Sequence, residues 1–373
     1  MSSDRIHPIT MPKWGMTMTE GKVSAWLKQE GDDVITGEEF VEIETDKIAN
    51  GVEAERGGIL RRIMVPEGQS AACGRLIAVM AGADVSDADL DSFLEGFTTD
   101  EATEETGPLL HNSQIEAGGL AINVVTATGG DGTPVVLLHG FGADAGAWMF
   151  NHEALAEGRD VHAIELPSHG GSDMAPDCAS VPDLTRVIGA ALAEIALEGA
   201  HLVGHSLGGR IALALAASAD TKTASLTLIA PAGFAAAPNP EFVERFIAAG
   251  RRRPMKAALQ MLVADQSAIS AEMIERTLSY KRIDGVETAL RAIAGASLSE
   301  TGARVGITED LAALTCPCLV IWGADDQILP ASGTETAPEA ARVDIIADAG
   351  HMPQMEAAAR VNVLIADHIG AVL

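Results

Sequence analysis

The sequence predicts a multidomain chain: a small all-β domain over residues 4–82, an acidic linker over 83–112, and a larger α/β domain over 113–373. Three observations carry that division. Short apolar segments separated by turn signals fill the first part. The middle part holds nine acids and no lysine or arginine. From Gly118 onward, strand-like apolar runs alternate with helical stretches, the pattern of a mostly parallel sheet covered on both faces.

Composition bounds the function before any motif is read. The 373 residues are 47% hydrophobic with a formal charge of −28, enough chain for two domains with cores. Nucleic acid and anionic membrane surfaces are excluded as partners, since both are bound through Lys and Arg. No stretch approaches the ~20 apolar residues of a membrane span, and Met1 to Met18 lacks a signal-peptide core, so the expected compartment is the cytoplasm. Cys73, Cys178, Cys316 and Cys318 are scattered, and Cys316-Pro317-Cys318 is one residue short of a C-x-x-C hairpin. All four read as ordinary buried thiols.

In the first domain, turn signals stand at Glu20-Gly21, Glu30-Gly31-Asp32-Asp33, Thr36-Gly37, Gly57-Gly58 and Pro66-Glu67-Gly68. Val41 and Ile43 alternate with Glu42 and Glu44, which puts one face of a strand inward and leaves the acids in water. Asp46-Lys47 then falls at a hairpin tip. Met11-Pro12-Lys13, Met18-Thr19-Glu20-Gly21, Trp26-Leu27, Glu30-Gly31-Asp32, Glu42-Ile43-Glu44-Thr45-Asp46-Lys47 and Val65-Pro66-Glu67-Gly68 together resemble the lipoyl domains of 2-oxo acid dehydrogenase complexes. That resemblance implies lipoate in amide linkage on Lys47. Biotin carriers share the fold but set their lysine between two methionines, whereas Asp46 and Ile48 flank Lys47.

Asp84, Asp87, Asp89, Asp91, Glu95, Asp100, Glu101, Glu104 and Glu105 mark the linker. Like charges extend such a chain, and ~30 flexible residues would span roughly 30 Å, enough for the first domain to reach several partners. Ser86 to Phe97 has the apolar content for a helical turn. The small basic subunit-binding domain that usual acyltransferase subunits carry here has no match.

The larger domain offers candidate strands at Leu120–Thr126, Val135–His139, Val161–Glu165, His201–Val203, Leu226–Ile229, Cys318–Trp322 and Val343–Ile346. Between the fourth and fifth lies Gly204-His205-Ser206-Leu207-Gly208, a G-x-S-x-G sequence between a strand and the helical run Gly209 to Ala217. A nucleophile at so sharp a turn needs small neighbours two residues away on either side. With His139-Gly140-Phe141-Gly142 and Leu166-Pro167-Ser168-His169-Gly170-Gly171-Ser172, this part resembles the α/β-hydrolase fold. The helical stretch at about 234–298 stands where that fold carries its cap.

A serine hydroxyl is a poor nucleophile until a base takes its proton, and the base needs a carboxylate to fix its tautomer. Ser206 is the candidate nucleophile and His351, in Ala349-Gly350-His351-Met352-Pro353 after the last strand, the candidate base. Asp325 and Asp326 both follow a strand. The family's acid stands four residues before a proline, which selects Asp326 ahead of Pro330, with Asp325 as the fallback. The same fold implies an oxyanion hole from the backbone N–H groups of Phe141 and Leu207, donors worth ~3 to 4 kcal/mol each. His205 reads as directed away from Ser206, and His139, His169 and His201 as loop or strand packing. Trp148 and Phe150 are either acyl-pocket walls or core aromatics.

No His-x-x-x-Asp-Gly appears, so the usual acyltransferase core of 2-oxo acid complexes is absent. A lipoyl domain joined to a serine hydrolase-like domain resembles the acyltransferase components of acetoin dehydrogenase complexes. The resemblance implies a thiamine diphosphate-dependent enzyme that cleaves acetoin and acetylates the lipoyl group, transfer of the acetyl group through Ser206 to coenzyme A, a dihydrolipoyl dehydrogenase flavoprotein that reoxidises the arm, and a lipoate ligase that reads the tip at Lys47. Two alternatives stand beside it: a thioesterase or esterase whose lipoyl domain localises it, and a non-catalytic lipoyl carrier. Arg251, Arg252, Arg253 and Lys256 form the densest basic cluster in this acidic chain. They read either as phosphate contacts for coenzyme A or as a solvated end beside the carboxyl terminus of the preceding helix.

Overall fold

The period of two in the N-terminal sequence is met by eight strands among the described residues: β1 (Ile6–Thr10), β2 (Glu20–Trp26), β3 (Asp33–Val34), β4 (Glu39–Glu44), β5 (Ala49–Glu53), β6 (Gly58–Ile63), β7 (Ser70–Ala72) and β8 (Leu76–Ala81). They form two antiparallel sheets, in the orders β1-β8-β6-β3 and β5-β4-β2-β7. The computed structural model describes residues 6–12, 20–44, 49–54, 56–83, 85–96, 110–197, 199–234, 237–299 and 301–372. Val41 and Ile43 are fully buried with Val23, Phe40, Leu60, Ile77 and Met80, while Glu42 and Glu44 face water. Strand β4 meets β5 with Glu44 opposite Ala49. Lys47, between these two strands in sequence, lies outside the described residues.

The stretch read as linker is partly built into the first unit, which runs to Thr106. Helix α1 (Asp87–Gly96) starts after Ser86, whose hydroxyl accepts the Asp89 N–H at 3.2 Å. Its Leu90 is fully buried with Ile6, Leu76, Val79, Ala81 and Val85, and Phe93 and Leu94 pack beside it. Arg61 donates to the carbonyls of Gly82 and Val85 and pairs with Asp87 at 2.9 Å. The physical reason is spacing: Leu90, Phe93 and Leu94 stand at i, i+3 and i+4, which lines one helix face whatever the charge of the other.

The second unit, Gly107–Leu373, carries a seven-stranded sheet among the described residues. Strand β9 (Leu110–Ala117) pairs antiparallel with the first half of β10 (Leu120–Leu138), so the second unit begins inside the expected linker. Strand β10 continues through a register shift, as one strand where the sequence suggested two, into parallel pairing with β11 (Arg159–Ile164) and β12 (Ala200–His205). Then come β13 (Thr223–Ile229), β14 (Cys318–Gly323) and β15 (Arg342–Ile346), in the order β11-β10-β12-β13-β14-β15. Helices α2 (His152–Leu155), α3 (Val181–Glu194) and α4 (Leu207–Ala217) punctuate the first half. Between β13 and β14 lie α5 (Pro240–Ala248), α6 (Arg252–Leu259), α7 (Ala271–Lys281), α8 (Val286–Ser297) and α9 (Ile307–Ala313). The chain closes with α10 (Pro353–Glu356) and α11 (Ala358–Gly370).

One face of the sheet, with Val136, Leu138, Leu202, Leu228, Val320 and Trp322, shares a core with α3, α4 and the cap helices. The alternate residues turn to the opposite face, where α11 packs on β13 and β14. The crossover from β14 to β15 carries only a six-residue 3-10 helix, Ala331–Thr336. Of the cysteines, Cys178 and Cys318 are buried as expected, whereas Cys73 and Cys316 are only half-buried.

Candidate active site

Ser206 joins β12 to α4 in a left-handed backbone conformation, φ +53° and ψ −115°. Two glycines make the turn possible. A Cβ at Gly204 would lie 2.4 Å from the Gly208 carbonyl oxygen, and one at Gly208 would lie 2.3 Å from that of Leu138. Such strain persists only where the surroundings over-determine it. Here the Ser206 N–H is held by the Ile229 carbonyl at 2.9 Å, and its own carbonyl accepts from Arg210 and Ala232.

Two loops, after β14 and after β15, bring the candidate acid and the candidate base together. His351 Nδ1 lies 2.7 Å from Asp326 Oδ2 with both side chains buried. Asp326 is fully engaged: Oδ2 also accepts from Trp322 Nε1 at 3.2 Å, and Oδ1 accepts the N–H groups of Ile328 and Leu329 at 2.8 and 2.9 Å. Asp325 is exposed and donates its N–H to the Ala349 carbonyl, away from the imidazole. The His351 backbone is pinned on both sides, its N–H by the Leu262 carbonyl and its carbonyl by His205 Nε2, each at 2.8 Å. The His205 ring, buried at 4.8 Å from the His351 ring, therefore steadies the loop of the candidate base, a contact the sequence did not show. Among the described residues Ser206 Oγ has no hydrogen-bond partner.

The loop after β10 passes directly beside the serine. A Cβ at Gly140 would fall 3.2 Å from Ser206 Cβ. The N–H groups of Phe141 and Leu207 meet no protein acceptor among the described residues. Two neutral histidines hold this loop. His139 accepts the Leu166 N–H on Nε2 at 3.0 Å and donates from Nδ1 to the Gly140 carbonyl at 2.8 Å. His169 accepts the Gly142 N–H on Nε2 at 3.1 Å and donates from Nδ1 to the Pro167 carbonyl at 2.9 Å. Burial lowers the pKa of His139, takes that of His169 down to about 3, and holds that of His205 well below the usual value.

The cap is fastened to this loop. Arg276 of α7 makes a bidentate pair with Asp144, at 2.8 and 3.1 Å, and Tyr280 donates its hydroxyl to the Ser168 carbonyl at 2.8 Å while stacking on His169. The Phe246 ring of α5 occupies the space a side chain at Gly142 would need, 2.3 Å from the hypothetical Cβ, and lies 5.9 Å from the Phe141 ring. Phe246 and Tyr280 come from the helical insertion and carried no sequence signal linking them to the turn. Trp148 is fully buried and Phe150 is 51% exposed.

Arg251, Arg252, Arg253 and Lys256 are all exposed. Arg251, Arg252 and Arg253 stand at the start of α6, where the helix dipole is positive, rather than at the end of α5, and Lys256 lies in the last turn of α6. Lys281 takes the α5 end instead, donating to the carbonyls of Phe246, Ile247 and Ala249. Arg252 lies 4.0 Å from Glu275. No helix of the described residues is long and apolar enough to cross a membrane.

Comparison with known proteins places both parts of the chain in known families. Residues 135–363 match the alpha/beta hydrolase family and residues 7–80 the biotin-requiring enzyme family, the biotin/lipoyl type. Among solved structures, a meta-cleavage product hydrolase from Pseudomonas fluorescens superposes with a TM-score of 0.62 at 22% identity, covering 70% of this chain and 98% of that one. A putative lipase from Acinetobacter baumannii gives a TM-score of 0.62 at 21% identity over 78% and 99% of the two chains. These likenesses show the fold. The dihydrolipoyllysine-residue acetyltransferase component of the acetoin cleaving system of Pseudomonas putida is 40% identical over 96% of this chain and 97% of its own length. That of Cupriavidus necator is 38% identical over 99% and 98%. With both domains and nearly the whole length shared, the chain belongs to the family of dihydrolipoyllysine-residue acetyltransferase components of acetoin cleaving systems.

Proposed function

We propose that this chain moves an acetyl group from a dihydrolipoyl arm on Lys47 to coenzyme A by way of an acetyl ester on Ser206. The observation that carries the reading is the buried His351–Asp326 pair, 2.7 Å between heavy atoms, on loops that converge on the strained Ser206 turn. Lipoate fits the first unit: the pairing of Glu44 with Ala49 brings the chain on either side of Lys47 together, as a hairpin carrier requires. When bound there, lipoate supplies the acetyl group as a thioester.

The residues of the chain do the rest. Ser206 Oγ attacks the thioester carbonyl as His351 Nε2 takes its proton, and Asp326 holds Nδ1–H so that Nε2 is free to accept. The Phe141 and Leu207 N–H groups receive the oxyanion. Collapse breaks the carbon–sulfur bond, and His351 returns the proton to the departing thiolate. His351 then deprotonates the coenzyme A thiol, whose sulfur attacks the acetyl ester, and Ser206 leaves with the proton from His351. Arg251, Arg252, Arg253 and Lys256 hold the acceptor's phosphates. In support, α6 runs from these arginines toward Leu262, whose carbonyl holds the His351 N–H. The eight residues of α6 rise about 12 Å, suited to an extended pantetheine arm.

The donor thioester is made by a thiamine diphosphate-dependent acetoin-cleaving enzyme, and the arm is reoxidised by a dihydrolipoyl dehydrogenase. The test is acetyl-dihydrolipoamide turnover with and without coenzyme A. Wild type should form acetyl-coenzyme A, Ser206→Ala should lose at least about 10³-fold of that rate, and acetate release without coenzyme A should be slow. Acetate release that ignores coenzyme A would make the chain a thioesterase instead, and transfer that survives Ser206→Ala would remove Ser206 from the path.

A further inference from the structure

We propose that two copies of this chain join through the outer edge of β15, in a two-fold antiparallel pairing centred on Val343. Strand β15 ends the sheet order, with β14 on one side and no strand among the described residues on the other. Unprotected edges are templates for pairing, and proteins usually blunt them with proline, lysine or a covering element. Among the described residues of the second unit, β15 carries no proline or lysine and no further strand covers its outer edge. The 3-10 helix that replaces a full crossover helix leaves Val343 42% and Ile345 51% exposed on one face, and Val363 of α11 is 52% exposed.

The backbone phase of β15 fits such a pairing. The Ala324 N–H donates to the Ile346 carbonyl at 2.8 Å, so Ile346 turns its polar groups toward β14. Backbone direction alternates along a strand. Arg342 and Asp344 therefore also bond inward, while Val343 and Ile345 present their N–H and C=O groups outward. A two-fold axis at Val343 makes it a hydrogen-bonded pair with its own copy, each N–H donating to the other's carbonyl. It also sets each Ile345 N–H against the Ala341 carbonyl of the second copy. The Ala341 N–H is already used, on the Pro338 carbonyl.

The side chains fit the same register. With positions summing to a constant across the axis, Arg342 stands opposite Asp344 of the second copy, and Asp344 opposite Arg342 of the second copy. These fall at the non-hydrogen-bonded positions, where opposed side chains are closest and opposite charges attract. On the other face Val343 meets Val343 and Ile345 meets Ala341, which covers the exposed apolar atoms. Any register displaced by one residue loses both the charge match and the backbone match. Within one copy, Asp344 already draws Arg342 to 3.6 Å and Arg360 to 3.3 Å, so a basic rim is gathered around the acid.

Sedimentation equilibrium on the full-length chain tests this. Wild type at micromolar concentration should sediment at twice the 38.6 kDa of one chain. Val343→Pro removes an outward N–H that bonds nothing within one copy, so it should leave the fold intact and raise the dimer Kd at least about tenfold. Arg342→Asp alone and Asp344→Arg alone should each weaken the dimer, twice over because the axis repeats every substitution. The double variant Arg342→Asp/Asp344→Arg should restore it. Near-ultraviolet circular dichroism matching wild type establishes folding in each case. A monomeric wild type overturns the proposal, as does a dimer that persists in Val343→Pro or a double variant no tighter than the single ones.

Discussion

Asp326→Asn is the substitution whose effect the site geometry allows to be worked out in advance. The carboxylate receives four donors: Ile328 and Leu329 N–H on Oδ1, Trp322 Nε1 and His351 Nδ1 on Oδ2. An amide must turn its NH₂ toward one pair. Facing Ile328 and Leu329 it meets two backbone N–H groups that cannot move, so the NH₂ is driven to the other side. There it forces His351 to accept at Nδ1 and to carry its proton on Nε2. In that tautomer Nε2 cannot take the proton of Ser206. The cost is that of a wrong tautomer, about 10³- to 10⁴-fold in the acylation rate, or about 4 to 5.5 kcal/mol at 1.36 kcal/mol per tenfold. The assay is the pre-steady-state burst with p-nitrophenyl acetate, which reads acylation of Ser206 without lipoate or coenzyme A. His351→Ala should lose more, because the imidazole handles the proton itself. An Asp326→Asn variant that keeps a tenth of the wild-type rate, or an Asp325→Asn variant that loses more than it does, would refute the reasoning.

Three further outcomes are expected. Lys47→Ala, made in a lipoate-replete host, should show no lipoyl mass increment where wild type shows one; a modified variant would move the carrier site to another lysine. Replacing Arg251, Arg252 and Arg253 with Gln should raise the KM for coenzyme A and reduce its salt dependence while sparing the ester burst, and an unchanged KM would leave these arginines as surface charge. Lowering the pH should destabilise the chain. His169 and His152 are held by burial at about 3 and about 4, below the 6.5 of an unfolded chain, so the unfolded state takes protons the native state refuses. Their contribution is complete above pH 6.5 and is lost as the pH falls toward 4, each by about 2 kcal/mol at pH 5. Urea midpoints that do not move between pH 7.5 and 5 would contradict this.

What the sequence made legible was set by how local each constraint is. Gly204 and Gly208 announce the Ser206 turn because backbone contacts near 2.4 Å forbid any side chain there. Asp326 was separable from Asp325 only through a family spacing, since the difference between them is which carboxylate the loop after β14 buries. Helix α1 was legible as a helical turn at Ser86 to Phe97, but its acids assigned it to the linker, although Leu90, Phe93 and Leu94 make an apolar face that packs on the first domain. Strand β9 was hidden because four of its first five residues are exposed, which erases the alternation. One of the two readings of the arginines at 251–253 set them against the wrong helix end, although Pro254 directly after them is a first-turn signal. Phe246, Tyr280 and Arg276 reach the site only through the docking of the cap, and no spacing along the chain encodes that.

The lysine that closes helix α5 has a chemical consequence of its own. Amines attack thioesters, and burial lowers the pKa of Lys281, which raises its free-amine fraction in a domain proposed to handle acetyl thioesters. Its hydrogens are committed to the carbonyls of Phe246, Ile247 and Ala249, which favours the ammonium form and leaves no lone pair aimed at an acyl donor. Protection from self-acetylation thus depends on the last turn of α5 staying wound. Acetyl-Lys281 in protein recovered from working cells would be a chemical record of how often that turn comes undone.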